Sequence, residues 1–475
     1  MFNLTKRIRS VFTLLCFLLL GGFALSCSGD DPTGNTKESL RGTITVNSES
    51  DHAGIAVEIY PIAEIDENLQ AASDAYSGSG PAVGQMTEFN PTGQIPEYST
   101  VTSADGSWNI DDMDPGNYNI VYRGGKVGLR IETDVEVPGN PRGIQVNPKV
   151  VLQGLIANQS LNITDAAVEI IGNTQIESSS ALAFSGTNYL IFTNSVFSLT
   201  VRSDLNFQPS TTLTVITTAF TQNSISGLNF QGQNNLTVRG LIALDDLRVQ
   251  VLTASLAFAD CMFRDASGTG ANFISSVSSI SRSLIRDSRA GVNLEQMNSF
   301  NCDNSIYLNN DTDILASINQ QGVIEKNTFL IQREGIECGS SNGNTVFEIR
   351  NNLFRGGEQQ ILLGPNSIVQ IHHNQFEDAD KHIHLEPVSH PVPSIDVNVN
   401  FNNFMNTGQY ALELENTTAL QTVDALNNYW GTVDISAIDM LIFDRNDRPN
   451  DSSIRFVNYT PFETALVTDA GIGGN

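Results

Sequence analysis

The chain has 475 residues, and its 52 acidic against 25 basic side chains give a formal charge of −27 at pH 7. A surface this acidic argues against nucleic acid and anionic lipid headgroups as partners. It also disfavours acidic polysaccharides unless divalent cations bridge the charges.

The first element is an address. Lys6, Arg7 and Arg9 precede an apolar run over residues 11–25, and Ala24-Leu25-Ser26 sets small residues before Cys27. This pattern is that of a secretion signal. It resembles a bacterial lipoprotein lipobox with Cys27 as the lipidated residue, Ala24 standing where Leu is usual. Ser28-Gly29-Asp30-Asp31 resembles the acidic tether that sends some lipoproteins to the outer face of the outer membrane. The resemblance implies loss of residues 1–26, a tether over 27–38, a membrane partner held through a lipid anchor, and an outer-membrane or cell-surface location. Without residues 1–26, which carry three basic and no acidic side chains, the formal charge is −30. No later apolar stretch is long enough to span a bilayer. Beyond Cys27 the cysteines are Cys261, Cys302 and Cys338, an odd number that cannot all pair internally. Each falls on or near an apolar repeat position, so buried thiols are expected.

Residues 39–145 read as a small β domain. Gly42–Val46 and Ala56–Tyr60 alternate like strands, as do the segments on either side of Asp105-Gly106 and Pro115-Gly116, whose dipeptides supply tight turns. The stretch 100–121 resembles the carboxypeptidase regulatory-like domain, a seven-stranded prealbumin-type sandwich. That resemblance implies core roles for Trp108, Ile110, Tyr118 and Ile120, and a spacer or stability function. Residues 62–97, rich in Ala, Ser, Gly and Pro, read as a long loop inserted between strands.

Residues 146–432 carry a repeat. Thirteen times an apolar residue follows a small or amide residue by two positions, at a period near 22. The apolar column is Ile156, Ile176, Phe197, Phe220, Ile242, Phe263, Ile285, Tyr307, Phe329, Phe354, Phe376, Phe404 and Tyr429. Its partners run from Gly154 to Asn427 and become Asn from Asn327 onward. Such a period specifies coils that bury their apolar sides only by stacking. A second column, with pairs such as Val292 and Leu294, Ile361 and Leu363, or Ile383 and Leu385, has strand spacing. The Asn residues suit bends and in-register side-chain ladders. Strands about 4.8 Å apart would give a rod of roughly 58 Å. Ile349-Arg350-Asn351-Asn352-Leu353-Phe354, Ile371-His372-His373-Asn374-Gln375-Phe376 and the ending Asn427-Asn428-Tyr429-Trp430-Gly431 resemble the right-handed parallel β-helix proteins of the pectate-lyase-like superfamily. The expected fold is therefore all-β, a right-handed parallel β-helix of about 12–13 coils behind the small sandwich. Residues 433–475 read as cap and tail, with Ile435, Ile438, Met440, Leu441, Ile442 and Phe443 covering the last coil. At the other end, the sandwich or residues 142–150 should cover the first coil.

Inward positions of a β-helix are core, so chemistry must use outward positions or bends. Outward neighbours on the second-column strand read as Asn293, Asp313, Glu337, Leu362, His382 with His384, and Glu413 with Glu415. His382-Ile383-His384 alternates, so its imidazoles should share a side, with Asp380 in the preceding bend. Two imidazoles and a carboxylate suit a divalent metal, making His382, His384 and Asp380 the candidate ligands. Glu337, His382, His384 and Glu413 are the catalytic candidates if His and a carboxylate act as base and acid on a glycan. A third reading is a polar strand on which histidines cluster without a site. Polygalacturonase-type and pectate-lyase-type signatures are absent: Asp245-Asp246 and the stretch Asn309-Asn310-Asp311 lie off the face strands, and Arg333 and Arg355 lack an acid cluster. The resemblance therefore leaves two main functions open. One is a non-catalytic surface lipoprotein displaying a rod that binds glycans or surface partners; the other is a polysaccharide lyase or hydrolase. A structural envelope protein is a third.

Overall fold

A computed structural model describes residues 37–75, 84–139, 142–192, 198–201, 204–207, 212–217, 227–231, 236–239, 241–243, 248–252, 255–264, 268–274, 276–296, 299–317, 320–339, 344–386, 395–415, 422–451 and 454–473. The expected signal, the lipidation site Cys27 and the acidic tether lie outside the described residues.

Two small sheets form the N-terminal part. One orders Ser107–Met113, Glu38–Val46 and Arg142–Val146, the first pair antiparallel and the second parallel. The other is antiparallel, in the order Tyr98–Val101, Ala56–Pro61, Gly116–Gly124 and Gly128–Val137. Both contribute to one buried cluster that includes Ile44, Val57, Ile59, Trp108, Ile110, Tyr118 and Ile120. The alternation in these strands places one face inward, as period-two patterning requires. Gly106 makes the Asp-Gly turn possible: its φ is +83°, and a Cβ there would lie 2.2 Å from the Ile44 carbonyl oxygen.

The stretch 62–97 is not simply a loop. It holds helices Glu67–Ala75 and Gln85–Glu88, with Leu69 and Phe89 buried. Asp66 Oδ1 accepts from the backbone N–H groups of Asn68 and Leu69, at 2.9 and 3.0 Å, and starts the first helix. A composition dominated by small residues hid the apolar pair Leu69 and Ala72, which is spaced for a helix face.

The rest is a parallel β-solenoid, of which about nine turns are shown. The expected count of 12–13 includes coils between 193 and 254, where many residues lie outside the described set. Each later coil has three strands, for example Thr345–Arg350, Leu353–Gly356 and Gln359–Leu363. The next coil pairs with it in register, Phe347 on Val369, Phe354 on Phe376 and Ile361 on Ile383. These residues face a single long core.

Two ladders run through that core. The rings of Tyr307, Phe329, Phe354, Phe376, Phe404 and Trp430 stack with centroids 4.6 to 5.1 Å apart and planes within 20°. Beside them Asn327, Asn352, Asn374, Asn402 and Asn428 are fully buried. Each Oδ1 from Asn352 onward accepts the backbone N–H of the preceding ladder residue at 2.8 to 3.0 Å. The left-handed bend residue is the one before each ladder Asn, as at Asn351, His373 and Phe401 with φ of 52 to 57°. The amides thus satisfy the bend while their neighbours adopt the strained conformation.

The single apolar column expected from the sequence holds from Phe263 to Phe404 and slips at both ends. At the C-terminal end Trp430, not Tyr429, continues the stack, and Asn428, not Asn427, continues the amide ladder. Ile156 and Ile176 are core residues of the neighbouring strand column, in line with Val201. Ile242 pairs with Met262 and faces outward. Leu284 and Ile306 continue that outward row. All four pack against Tyr60, Phe89, Val121, Leu129 and Ile131 of the N-terminal part. Tyr189 Oη both accepts from the Ile131 N–H and donates to its carbonyl, at 3.1 and 3.2 Å. The N-terminal part therefore lies along a side of the solenoid, which is why these rungs are apolar on both faces.

At the far end, helix Ile435–Leu441 buries Ile438, and Ile442–Phe443 and Val457–Asn458 extend two of the strand columns. Ile435 and Met440 do not cover the last coil; they are exposed.

Candidate functional site

Pairing fixes which side chains share the outer face of the second-column strands. One outward row is Asn293, Leu315, Glu337, Leu362, His384 and Glu413. Glu386 and Glu415 stand one residue beyond the inward Leu385 and Leu414, on the same side as His384 and Glu413. Gly364 and Gly339 occupy the equivalent positions one and two rungs before Glu386, and leave the floor there without side chains.

His382 is not in this row, contrary to its expected outward position beside His384. It lines up with Asp313, Gly335, Gln360 and Ala411 at a corner. It is fully buried between the rings of Phe376 and Phe404, centroids 5.8 and 5.7 Å away. Its Nδ1 meets Gln360 Oε1 at 2.7 Å and its Nε2 meets Thr407 Oγ1 at 2.9 Å. Burial pushes its pKa down to about 3, so it is neutral. The strand bends where it enters the coil, and this breaks simple alternation: His382 is a satisfied core histidine rather than a catalytic or metal-binding one. Asp313, also read as outward, is fully buried at the same corner, and burial raises its carboxyl well above the usual range. Asp380 is exposed in its bend and does not join His384.

Glu337 is half-buried two rungs from His384, with Leu362 between, a separation of about 10 Å by rung spacing. Burial raises its pKa, and Glu334 and Glu386 add to the shift. Glu386 is raised by burial, then by Glu334 and Glu415. This face therefore concentrates negative charge.

His384 and Glu413 do come together. His384 Nε2 lies 3.6 Å from Glu413 Oε2 and 3.9 Å from Glu415 Oε2. His384 Nδ1 is 2.7 Å from Gln359 Oε1. A carbonyl oxygen only accepts, so Nδ1 carries the proton and Nε2 presents its lone pair. Burial and then Lys381 push the imidazole down to about 4, against the pull of Glu415. Lys381 Nζ contacts Glu413 Oε2. His384 Nε2 itself is buried and makes no hydrogen bond. His384, Glu413 and Glu415 are the three groups, among the described residues, whose ligand atoms could share a metal ion. Sequence reasoning placed Glu415 on this face but missed its part in the cluster, and missed Gln359 and Lys381. The available signal was coil alignment, since the two are register partners on adjacent rungs, each three residues before the outward row of Leu362 and His384.

His372 and His373 lie on a different strand column, as expected. His372 Nε2 meets Glu348 Oε1 at 3.0 Å, and His373 Nε2 approaches Asp469 Oδ2 at 3.3 Å. A separate depression of about 700 Å³ on the N-terminal part is lined by Arg41, Thr43, Ser107, Trp108, Asn109 and Arg142. Cys261, Cys302 and Cys338 are buried.

No family model, curated protein or solved structure matches the chain.

Proposed function

We propose that the chain is a lipid-anchored protein of the outer membrane or cell surface, tethered through Cys27, whose solenoid is a right-handed pectate-lyase-like β-helix that binds glycans or other surface partners. The N-terminal part is then a carboxypeptidase regulatory-like, prealbumin-type sandwich that braces the rod from the side. The observation carrying this reading is the outer strand face. Glu334 and Glu337 share one rung, Lys381 and His384 stand two rungs on, and Glu413 and Glu415 one rung further, on an in-register stack. Such an array suits an extended, repeating ligand, and its charge favours neutral or basic glycans over acidic ones. Palmitate labelling in a Gram-negative host tests the anchor, with incorporation expected in wild type and lost in Cys27→Ser. A panel of neutral, amino and acidic polysaccharides tests the face. Binding that is unchanged when Glu337 and Glu413 are both replaced by Gln would remove this face as the site.

The second reading, a polysaccharide lyase or hydrolase, is favoured by one observation: a neutral imidazole beside two carboxylates in His384, Glu413 and Glu415. On it His384 is the base and Glu413 its partner. Turnover of a glycan that is lost in His384→Ala, with binding retained, would select this reading over the first.

A further inference from the structure

We propose that His384, Glu413 and Glu415 form a binding site for one divalent cation of the zinc class. The site lies on the same outer face as the proposed glycan surface, and its cation binding does not depend on that reading.

The first observation is convergence built by the fold. His384 and Glu413 are register partners on adjacent parallel strands, and Glu415 is two residues further along the same strand as Glu413. Alternation therefore sends all three to one side, and the ladder fixes their spacing. Glu413 is only 5 % exposed and His384 8 %, so neither is a freely solvated surface group.

The second observation is independent of the acidic cluster. His384 is more than nine-tenths buried, and its Nε2 has no hydrogen-bond partner although it is aimed at two carboxylates. Its other nitrogen donates to Gln359 Oε1, so the lone pair of Nε2 faces carboxylate lone pairs. His384 and Glu413 are nearly buried and Glu415 is part-exposed, and three Lewis bases meeting there repel one another unless a positive centre sits between them. The Lys381 ammonium contacts Glu413 but leaves Nε2 unmatched.

The donor set selects the ion. One imidazole nitrogen and two carboxylate oxygens suit zinc, whereas calcium and magnesium prefer all-oxygen sites. Bonds of about 2.0–2.1 Å in a tetrahedron put ligand atoms about 3.3–3.4 Å apart. The two distances from Nε2, 3.6 Å to Glu413 and 3.9 Å to Glu415, need a closure of a few tenths of an ångström, the larger part of it by rotation of the part-exposed Glu415. Gln359 holds the imidazole in the correct tautomer, as outer partners of metal-binding histidines do. Three protein ligands leave a fourth position for water or a ligand oxygen. Lys381 is the built-in competitor, and a bound cation displaces it from Glu413.

The test uses the purified full chain, stripped with chelator and titrated with zinc chloride by calorimetry, with metal content read after gel filtration. About one zinc per chain is expected. Glu415→Gln and His384→Gln should each weaken binding at least tenfold, Lys381→Met should tighten it severalfold, and His373→Ala, at the other histidine pair, should leave it unchanged. Replacing zinc by cobalt should give the visible absorption of a low-symmetry nitrogen–oxygen site, abolished in Glu415→Gln. Glu415 is part-exposed, so its variant tests the site even if His384→Gln fails to fold. Absence of bound zinc, equal binding by wild type and Glu415→Gln, or loss of binding in His373→Ala would overturn the proposal.

Discussion

Replacing Asn374 by Ala should destabilise the solenoid far more than its single amide suggests. Asn374 Oδ1 accepts the Asn352 backbone N–H at 3.0 Å and an Nδ2 hydrogen of Asn352 at 3.0 Å. Its own Nδ2 donates to the carbonyls of Ile349 and His372, at 2.8 and 3.0 Å, and to Asn402 Oδ1 at 3.1 Å. Asn374 and its ladder neighbours Asn352 and Asn402 are fully buried, so water cannot replace what is lost. Ala leaves at least the Asn352 N–H and the Ile349 carbonyl without these partners. At about 1–3 kcal/mol per orphaned buried group, and about 1 kcal/mol more for the void, the loss is roughly 3–7 kcal/mol. Gln370→Ala is the matched control, an exposed residue on the adjoining strand Ser367–His372, and should shift stability by no more than about 0.5 kcal/mol. The assay is guanidinium unfolding followed by fluorescence of Trp430, whose indole stacks on Phe404 at the end of the same array. A midpoint for Asn374→Ala no lower than that of Gln370→Ala would refute the view that the amides, and not only the apolar rungs, hold the coils in register.

Other tests address different parts of the fold. Phe354→Ala removes a ring stacked on both sides, at 4.6 and 5.0 Å, and should cost about 3–5 kcal/mol in the same unfolding assay. His382, held neutral down to about pH 3, is protonated in the unfolded chain below about pH 6.5. Its share of stability is therefore intact above pH 6.5 and falls by about 1.4 kcal/mol per pH unit from there towards pH 3, so the stability difference between wild type and His382→Gln should change with that slope. Tyr189→Phe should speed amide exchange at Ile131 at least tenfold, because it removes the buried hydroxyl that accepts that N–H. Cys261, Cys302 and Cys338 should resist alkylation in the folded chain and react on unfolding, as mass mapping would show, since all three are fully buried and burial raises the thiols of Cys302 and Cys338.

The fold was legible where one residue type repeats in one role. From Asn327 to Asn402 the amide and the aromatic ring recur at fixed offsets, and both ladders are where the pattern put them. Early coils replace Asn by Gly, Thr or Ser and Phe by Ile, so the register there rested on period alone. A period near 22 cannot distinguish one strand column from its neighbour, which is how Ile156 and Ile176 were placed a strand away from their true column. Apolar residues on both faces of a short strand, as in Leu241–Ala243 and Leu284–Arg286, gave no clue to which face was inward. The N-terminal part decides it by covering Ile242, Met262 and Leu284. The site was half legible for a related reason. His384 and Glu413 follow from regular alternation, whereas His382 enters at a corner where the backbone turns.

These placements divide the outside of the solenoid by chemistry. The row through Ile242, Met262, Leu284 and Ile306 is apolar and is covered from the side, with Arg286 pairing with Glu88 of the short helix Gln85–Glu88 where both are nearly buried. Removing either partner of an ion pair in that position strands a buried charge and is costly. Among the described residues, the row through Glu337, His384 and Glu413 lies outside that covered apolar cluster and keeps its ionisable groups. If the N-terminal part were a detachable neighbour, the covered row would expose a long hydrophobic stripe of the kind that drives association. The bracing and the open polar face are thus two consequences of one arrangement: attaching the first part along a single side leaves another side free to carry charge. An Arg286→Ala variant should separate them. It should loosen the brace, seen as faster exchange at Ile131, while zinc binding at His384, Glu413 and Glu415 stays as in wild type. Loss of both together would mean that the two faces are not independent.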